Sequence, residues 1–316
     1  MTKANYLRAS TALLLAIVAA VLVAVMVSYA NPASAQSTTA VAGTTIKVTT
    51  KEDESNTDGD CSLREAIEAA NTNLAVDECA AGSATEEDAI YFALGEKAKI
   101  VLSSQLPTIT DPSGLTIDGR KAKITVSGND AVRVFEVGPG AEVNLRNLKV
   151  AHGKSGDFGG GIFNFGTLTV TNSTFSGNSS TQLGGGAIRN QEQLGPFPGD
   201  SGTVTLSNTI VANSPSGGNC GGSIIDGGFN IDDGTTCGFS AANFSKPSTD
   251  PRLGLLANNG GPTKTHALLK GSPAIDAIPD GTNGCGTMIA TDQREVKRPQ
   301  GGRCDIGAYE KKVRRR

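Results

Sequence analysis

The sequence predicts an all-β protein: a single right-handed parallel β-helix (solenoid) with a short N-terminal capping helix and a disulfide-pinned C-terminal cap. Three observations lead to this prediction. A strand-like segment repeats along the chain, six cysteines form local couples, and the composition combines 40 glycines with no tryptophan and only 4% aromatic residues. Such a composition is typical of many short strands joined by tight turns.

The fold prediction depends mainly on the repeated segment. The segment that begins at Val143 recurs at Leu168 and, after a longer interval, again at Val204. The Pro/Gly-rich stretch 191–201 accounts for the longer second interval as a loop insertion. Within each copy the apolar residues alternate, which is the pattern of a strand with one buried face. Stacking the copies as parallel strands buries these faces in one column.

Two further sets of residues repeat. The segment Gly159–Asn164 recurs as Gly184–Arg189, with the same shift that relates Val143 to Leu168. Three asparagines share one register just after the alternating segments, and we expect their amides to form a structural hydrogen-bonded ladder: Asn147, Asn172 and Asn208. The alternative is that these asparagines bind a ligand.

The N-terminus has the features of an export signal. Lys3 and Arg8 precede an apolar segment from Ala12 to Ala30, and the small residues Ala33 and Ala35 follow a helix break. We expect cleavage after Ala35 and no membrane contact afterwards, with an uncleaved anchor as the alternative. The predicted organisation is a signal peptide (1–35), an N-terminal strand and capping helix (36–88), β-helix coils (89–240), a C-terminal cap (241–310) and a basic tail (311–316).

The cysteines predict a disulfide framework. An even number of cysteines in an exported chain favours disulfides, and pairing cysteines that are close in sequence costs the least loop entropy. The predicted bonds are Cys61–Cys79, Cys220–Cys237 and Cys285–Cys304. The alternative is a zinc site, which the absence of a Cys-x-x-Cys pair and the presence of only two histidines make less favourable.

Both ends of the stack are expected to be covered, since open strand edges promote aggregation. Ser62 and Glu65 have the spacing of a capping box, which predicts a helix over about residues 63–70 as the N-terminal lid. Residues 250–310 are expected to form the cap at the other end.

At these residues the chain resembles a known family. The segment Cys61–Ile67 is similar to the CSLREA motif of bacterial surface β-helix proteins, and Gly166–Asn178 resembles their coil repeat. Four C-terminal segments resemble the choice-of-anchor Q domain of the same proteins: Asp250–Gly254, Asn259–Thr263, Gly271–Asp276 and Cys304–Glu310. The resemblance covers about residues 45–310 and implies a pectin-lyase-like β-helix at the cell surface or outside the cell, without a particular activity. The short basic tail, in place of the family's anchor, favours release.

The outward positions of the repeat predict a polar face that hydrogen-bonds to sugar hydroxyls. Its residues are Asn144, Arg146, Lys149, Thr169, Thr171 and Thr205. The alternative is that these threonines simply favour the strand conformation. The predicted function is a secreted, non-catalytic binding or structural/adhesive module that acts on extracellular or envelope glycans, as a monomer. The formal net charge of −3 becomes −10 for residues 36–310, once the two cations of the signal and the five of the basic tail are left out, and this acidic body argues against a nucleic-acid partner.

The alternative function is a polysaccharide lyase or glycoside hydrolase of the same fold. Its candidate catalytic residues are Asp226, Asp232 and Asp233, although each lies in a sequence typical of turns. No cofactor is predicted. Calcium is the alternative, because an acidic cluster precedes the capping box: Glu52, Asp53, Glu54, Asp58 and Asp60. Its candidate ligands are Asp53, Asp58 and Asp60, but a solvated acidic loop is the preferred interpretation.

Overall fold

The computed structural model describes residues 43–94, 98–119, 124–182, 184–192, 201–260 and 264–312. The predicted signal peptide (1–35), residues 193–200 of the predicted loop insertion and residues 313–316 of the basic tail lie outside the described residues. All of the described residues belong to one unit, residues 42–316.

Short strands dominate this unit, and most of them pair in parallel. Three long sheets are present, and their strands are numbered in chain order. The seven-stranded sheet contains, in spatial order, β1 (Thr45–Val48), β2 (Asp88–Phe92), β4 (Leu115–Asp118), β7 (Glu142–Arg146), β11 (Thr167–Thr171), β15 (Thr203–Ser207) and β18 (Ile225–Asp226). The six-stranded sheet contains β3 (Lys99–Val101), β5 (Thr125–Ser127), β8 (Lys149–Ala151), β12 (Thr174–Ser176), β16 (Ile210–Ala212) and β19 (Ile231–Asp232). The four-stranded sheet contains β6 (Phe135–Val137), β10 (Ile162–Asn164), β14 (Ile188–Asn190) and β17 (Cys220–Gly221).

The remaining strands form two-stranded sheets, and the helices are short. The pairs are the parallel β9 (Lys154–Ser155) with β13 (Ser179–Ser180), and the antiparallel β20 (Leu253–Asn258) with β21 (Lys264–Leu268) and β22 (Ile278–Pro279) with β23 (Arg303–Cys304). The helices are α1 (Leu63–Thr72) and the 3₁₀ turns Ala241–Asn243 and Thr282–Gly284. The described chain is therefore β-rich with very little helix, which agrees with the all-β class predicted from the sequence.

The three copies of the strand repeat lie next to one another in the predicted register. Leu168 of β11 is opposite Val143 on one side and Val204 on the other. These side chains are at most 1% exposed and contribute to one apolar core that the long sheets share. Each such aliphatic chain stabilises the fold by roughly 1.5–3 kcal/mol before entropy is subtracted.

The glycine-rich repeat has a different register from the predicted one. Ile162 of β10 pairs with Ile188 of β14, whereas the predicted alignment placed Ile162 opposite Ala187 and was wrong by one position. The reason is burial, since both isoleucines are fully buried and a slip by one position would turn one of them outward. Because Lys154 still pairs with Ser179, as the predicted shift requires, the extra residue lies in the loop that follows β13.

The repeated asparagines form the corners between the seven-stranded and six-stranded sheets. Asn147, Asn172 and Asn208 have φ values of 55°, 52° and 52°, a left-handed conformation that asparagine tolerates better than most residues. The predicted ladder is formed in part, because Asn172 Nδ2 donates to Asn147 Oδ1 at 2.6 Å. Asn208 departs from it and donates instead to the backbone oxygen of Asn283 at 2.8 Å.

Helix α1 starts at the predicted capping box. The Ser62 side chain accepts from the Glu65 N–H, and Glu65 accepts from the Ser62 N–H at 2.9 Å. The helix extends past the predicted end to Thr72 and stops at Asn73, which is left-handed. Its buried face packs against β1 and β2.

The C-terminal segment does more than cover the last strands. Residues near Lys246 do extend the end of the six-stranded sheet, where Asp232 N donates to Lys246 O at 3.1 Å. Beyond them, the chain packs on the outer face of the same sheet. Gln293 Nε2 donates to Ile124 O, just before β5, and Gly307 N donates to Asn208 O, just before β16, both at 2.8 Å. A second apolar core fills this contact, with Ile210, Ile231, Leu268, Ile278 and Ile306 among its members.

Buried charged side chains stabilise the C-terminal segment, and disulfides stabilise this segment and both ends of the long sheets. Arg298 is 1% exposed, donates to the backbone oxygens of Asp305 and Gly307, and lies 3.5 Å from the Glu310 carboxylate. Burial raises the pKa of Asp305 to about 6 and that of Glu310 to about 7. The three disulfides have the predicted pairing: Cys61–Cys79, Cys220–Cys237 and Cys285–Cys304.

Replacement of Phe175 tests the stacked core. This side chain is fully buried and lies between Val150 and Val211 on the neighbouring strands. We expect Phe175→Ala to lower the free energy of unfolding by about 4 kcal/mol, because it leaves a cavity. Thr169→Ala, at an outward position, should change it by less than about 0.5 kcal/mol. Guanidinium unfolding of both variants measures the difference, and equal losses would contradict the assigned inward and outward faces.

Candidate ligand-binding sites

The structure brings five of the six predicted face residues together. Asn144, Thr169 and Thr205 form one outward row across β7, β11 and β15, and Arg146 and Thr171 are neighbours in the next row. The row continues to Thr116 of β4, and Glu87 bridges Thr116 and Asn144 by accepting a hydrogen bond from each. The predicted polar face is therefore present on the seven-stranded sheet without Lys149, and we name these outward rows the polar strip. Its binding of sugars stays a prediction.

Lys149, the sixth predicted face residue, lies elsewhere. The corner at Asn147 turns the chain into the six-stranded sheet, where the C-terminal segment covers Lys149 and leaves it 1% exposed. Its Nζ is 2.8 Å from His266 Nε2, and His266 Nδ1 is 2.6 Å from Gly254 O. Because a carbonyl only accepts, Nδ1 carries the proton and Nε2 accepts from Lys149. The prediction that Lys149 contributes to an exposed face was wrong.

Burial changes the acid–base properties of this pair. Desolvation, with a smaller contribution from the Lys99 charge, lowers the pKa of Lys149 to about 7. Desolvation also lowers the pKa of His266 to about 4, and the Lys149 charge adds to this effect. The imidazole is therefore neutral at neutral pH, as its role as an acceptor requires.

The three candidate catalytic aspartates are held by hydrogen bonds near the last strands. Asp226 Oδ1 accepts from Asn230 Nδ2 at 2.9 Å. Asp232 is fully buried and its Oδ2 accepts from the Cys237 N–H at 3.0 Å. Asp233 Oδ2 accepts from the N–H of the distant Asn213 at 2.7 Å. Asp226 and Asp232, the last residues of β18 and β19, also accept from the N–H groups of Gly228 and Gly234, which matches the turn interpretation of their sequence. Asp233 instead links its loop to the residue that follows β16.

The three predicted calcium ligands do not lie at one site. Asp53 forms an ion pair with Arg64 at 2.8 Å and also accepts from Ser103 N at 2.7 Å. Burial acts to raise the pKa of Asp53, but hydrogen bonds from Ser103 and Arg64 outweigh it and lower the pKa. Asp58 and Asp60 lie instead with Glu54, with carboxylate oxygens within 4.8 Å of one another. Desolvation and mutual repulsion raise the pKa values of Glu54 and Asp60.

A cleft that the sequence did not predict opens beside the four-stranded sheet. It has a volume of about 450 Å³ and is lined by Gln105, Val132, Arg133, Lys154, Ser155, Gly156 and Asp157. Arg133 organises it, because its side chain is only 9% exposed and pairs with Asp157 at 2.6 Å and with Glu136. The guanidinium also donates to Gln105 Oε1 and Ser155 Oγ, so the polar lining of the cleft is held in place.

Aromatic rings adjoin this cleft. Phe163 lies between Glu136 and Arg189 in one outward row of the four-stranded sheet. Its ring centroid is 5.0 Å from the Arg133 guanidinium and 4.3 Å from the half-buried Phe165 ring. Arg189 lies 4.9 Å from the ring of Phe158. These five residues, which we name the Arg–Phe cluster, are Arg133, Phe158, Phe163, Phe165 and Arg189.

Asp157 presents an ionised acceptor at the mouth of the cleft. Its side chain is 58% exposed although Arg133 holds it. Partial burial acts to raise its pKa, but hydrogen bonds from Ser155 and the Phe158 N–H, together with the Arg133 charge, lower the pKa overall. This carboxylate is therefore suited to accept hydrogen bonds rather than to donate a proton.

The sequence of the glycine-rich repeat, aligned in the correct register, identifies part of this site. In the observed register Phe163 and Arg189 are equivalent outward positions, whereas the predicted alignment placed Phe163 opposite the apolar Ile188. Arg133 and Asp157 gave no comparable signal, because they lie in loops that the repeat does not include.

The chain is thus a β-rich, disulfide-bonded protein with a polar cleft beside aromatic rings. A scan against protein-family models finds no match, and a search of curated proteins finds none either. Among the helices of the described ranges, none combines the length and hydropathy that a membrane crossing requires.

Replacement of Lys149 tests its buried position through pH dependence. The folded pKa of about 7 lies below the unfolded value of 10.5, so the unfolded state binds more protons between these pH values. The free energy of unfolding should therefore rise with pH in this window, by up to about 4 kcal/mol. Lys149→Met should remove this rise, whereas Lys47→Met, at an exposed position, should retain it. Urea unfolding at pH 7 and pH 10 measures the effect, and parallel curves for wild type and Lys149→Met would contradict it.

Proposed function

We propose that the protein is a secreted or surface-exposed, non-catalytic glycan-binding module, and that it binds glycans through the cleft and the Arg–Phe cluster. The proposed scaffold is a right-handed parallel β-helix of the type found in CSLREA and choice-of-anchor Q proteins. It acts as a monomer and needs no cofactor.

Strand order supports the proposed scaffold. Between β7 and its neighbour β11, the chain contributes β8 to the six-stranded sheet and β10 to the four-stranded sheet. The next repeat contributes β12 and β14 to the same two sheets before reaching β15. A chain that visits three parallel sheets in a fixed cycle fits a solenoid, and parallel crossovers are almost always right-handed.

The observation that carries the proposed function is the fixed polar lining of the cleft beside the half-buried rings of Phe158 and Phe165. Sugars present hydroxyl groups at their edges and C–H groups on their faces, so planar polar side chains and aromatic rings suit them. Because Arg133 already orders Asp157, Ser155 and Gln105, binding there would cost little side-chain entropy. An open cleft also suits a polymer that continues past both ends of the site.

The charges of the cleft favour binding over hydrolysis. A general acid needs a raised pKa, whereas that of Asp157 is lowered. Glu136, the other carboxylate near Arg133, is held by Arg133, Gln105 and Thr108. The proposed location outside the cell is supported by the three disulfides, which persist in oxidising compartments.

Two variants with matched controls test the proposed site. Asp157→Ala and Phe165→Ala should each weaken binding to a polysaccharide by about tenfold or more, since each removes a contact group from the site. Asp130→Ala and Phe244→Ala are the controls, because these side chains are exposed outside the cleft and should leave binding unchanged. Affinity electrophoresis in gels that contain pectin, xylan, starch or dextran measures the effect.

The same experiment decides between this proposal and an enzyme. If none of the four polysaccharides retards the wild-type protein, glycan binding by the cleft is wrong. Incubation with each polymer should release neither reducing ends nor unsaturated products that absorb in the ultraviolet. Release that Asp157→Ala abolishes would instead establish a polysaccharide lyase or hydrolase.

A further inference from the structure

We propose that a second, smaller pocket binds a single neutral sugar ring or a polyol of similar size, independently of the cleft. This pocket lies where the polar strip of the seven-stranded sheet meets the C-terminal segment. Its volume is about 150 Å³, too small for a polymer and suited to one compact ligand. The lining residues from the strand side are Asp118, Arg146, Asn147, Thr171 and Asn172, and those from the C-terminal side are Asn283, Met288 and Ile289.

An unpartnered amide oxygen at the inner wall points to a ligand. Asn172 is fully buried, and its Nδ2 donates to Asn147 Oδ1, whose own Nδ2 donates to Asp118 Oδ1 at 2.9 Å. Every bond in this column donates in the same direction, so Asn172 Oδ1 would need a donor from the next asparagine. That residue, Asn208, donates to Asn283 O instead, and Asn172 Oδ1 has no partner among the described residues.

A buried acceptor without a donor carries a free-energy penalty that a ligand hydroxyl would remove. Thr171 adds a hydroxyl that both donates and accepts, and the Arg146 guanidinium adds donors at the exposed side. Ile289 and Met288 supply an apolar wall for the C–H face of the ligand. Alternating hydroxyl and C–H groups around one ring match this combination of surfaces.

The charges at the pocket select a neutral ligand. The carboxylate of Asp118 and the guanidinium of Arg146 both line it, and these residues are register neighbours on β4 and β7. The guanidinium disfavours a metal cation, and the carboxylate disfavours an anion. A neutral polyhydroxylated molecule avoids both repulsions and can accept hydrogen bonds from the Arg146 guanidinium.

Substitution of Thr171 tests this site, since a larger side chain would fill the pocket. The probes are D-glucose, D-galactose, D-mannose and myo-inositol, each measured by saturation-transfer NMR with the whole protein. At least one should bind with a millimolar Kd. Thr171→Trp should weaken that binding by about tenfold or more. Thr167→Trp is the matched control, because Thr167 lies outward on the same strand but outside the pocket lining.

A second variant guards against a folding defect in the first. Arg146→Met removes the guanidinium at an exposed position and should also weaken binding of the same probe, while Asp157→Ala in the cleft should leave it unchanged. Sensitivity to Asp157→Ala would overturn the independence of the two sites. The pocket proposal is overturned if no probe binds, or if binding survives both pocket variants, in which case ordered water alone satisfies Asn172. Polysaccharide binding by the cleft can fail without affecting either result.

Discussion

In-register stacking of parallel strands is the constraint on which the rest of this structure depends. Each inward residue, such as Leu168, covers and is covered by its equivalents in the neighbouring repeats. A slip by one position would reverse every side chain of a strand, exposing apolar groups and burying polar ones. The same register sets the outward rows, so the position of each surface group follows from the packing of the core beneath it.

The same register aligns the polar side chains at the corners between the sheets. Asparagine occupies the left-handed corner position in three successive repeats and fills the space there with amides that bond along the stack. Asn208 donates instead to Asn283 of the C-terminal segment, so the column of hydrogen-bonded asparagines ends at Asn172. The buried oxygen of Asn172 is left beside a pocket. A structural motif and a proposed binding site are thus built from the same residues, and the difference lies in a single hydrogen-bond partner.

The cleft follows a different principle, because its organiser is one buried cation. Arg133 spans two loops and a strand, linking Gln105, Glu136 and Asp157, while the ring of Phe163 lies beneath its guanidinium. Groups fixed in this way bind with little loss of side-chain entropy. Glycan binding at this cleft is a proposal about those ordered groups, whereas in the polar strip Glu87 orders only Thr116 and Asn144.

The sequence by itself determined the repeat, the inward rows, the capping box of α1 and the three disulfides, because each depends on contacts between near neighbours or on strict periodicity. Only the tertiary structure decided the burial of Lys149, the separation of Asp53 from Asp58 and Asp60, and the meeting of Arg133 with Asp157. These contacts join loops and a C-terminal segment with no repeat of their own. Their positions are set by how the non-repeating chain packs on the finished sheets, which no local pattern encodes.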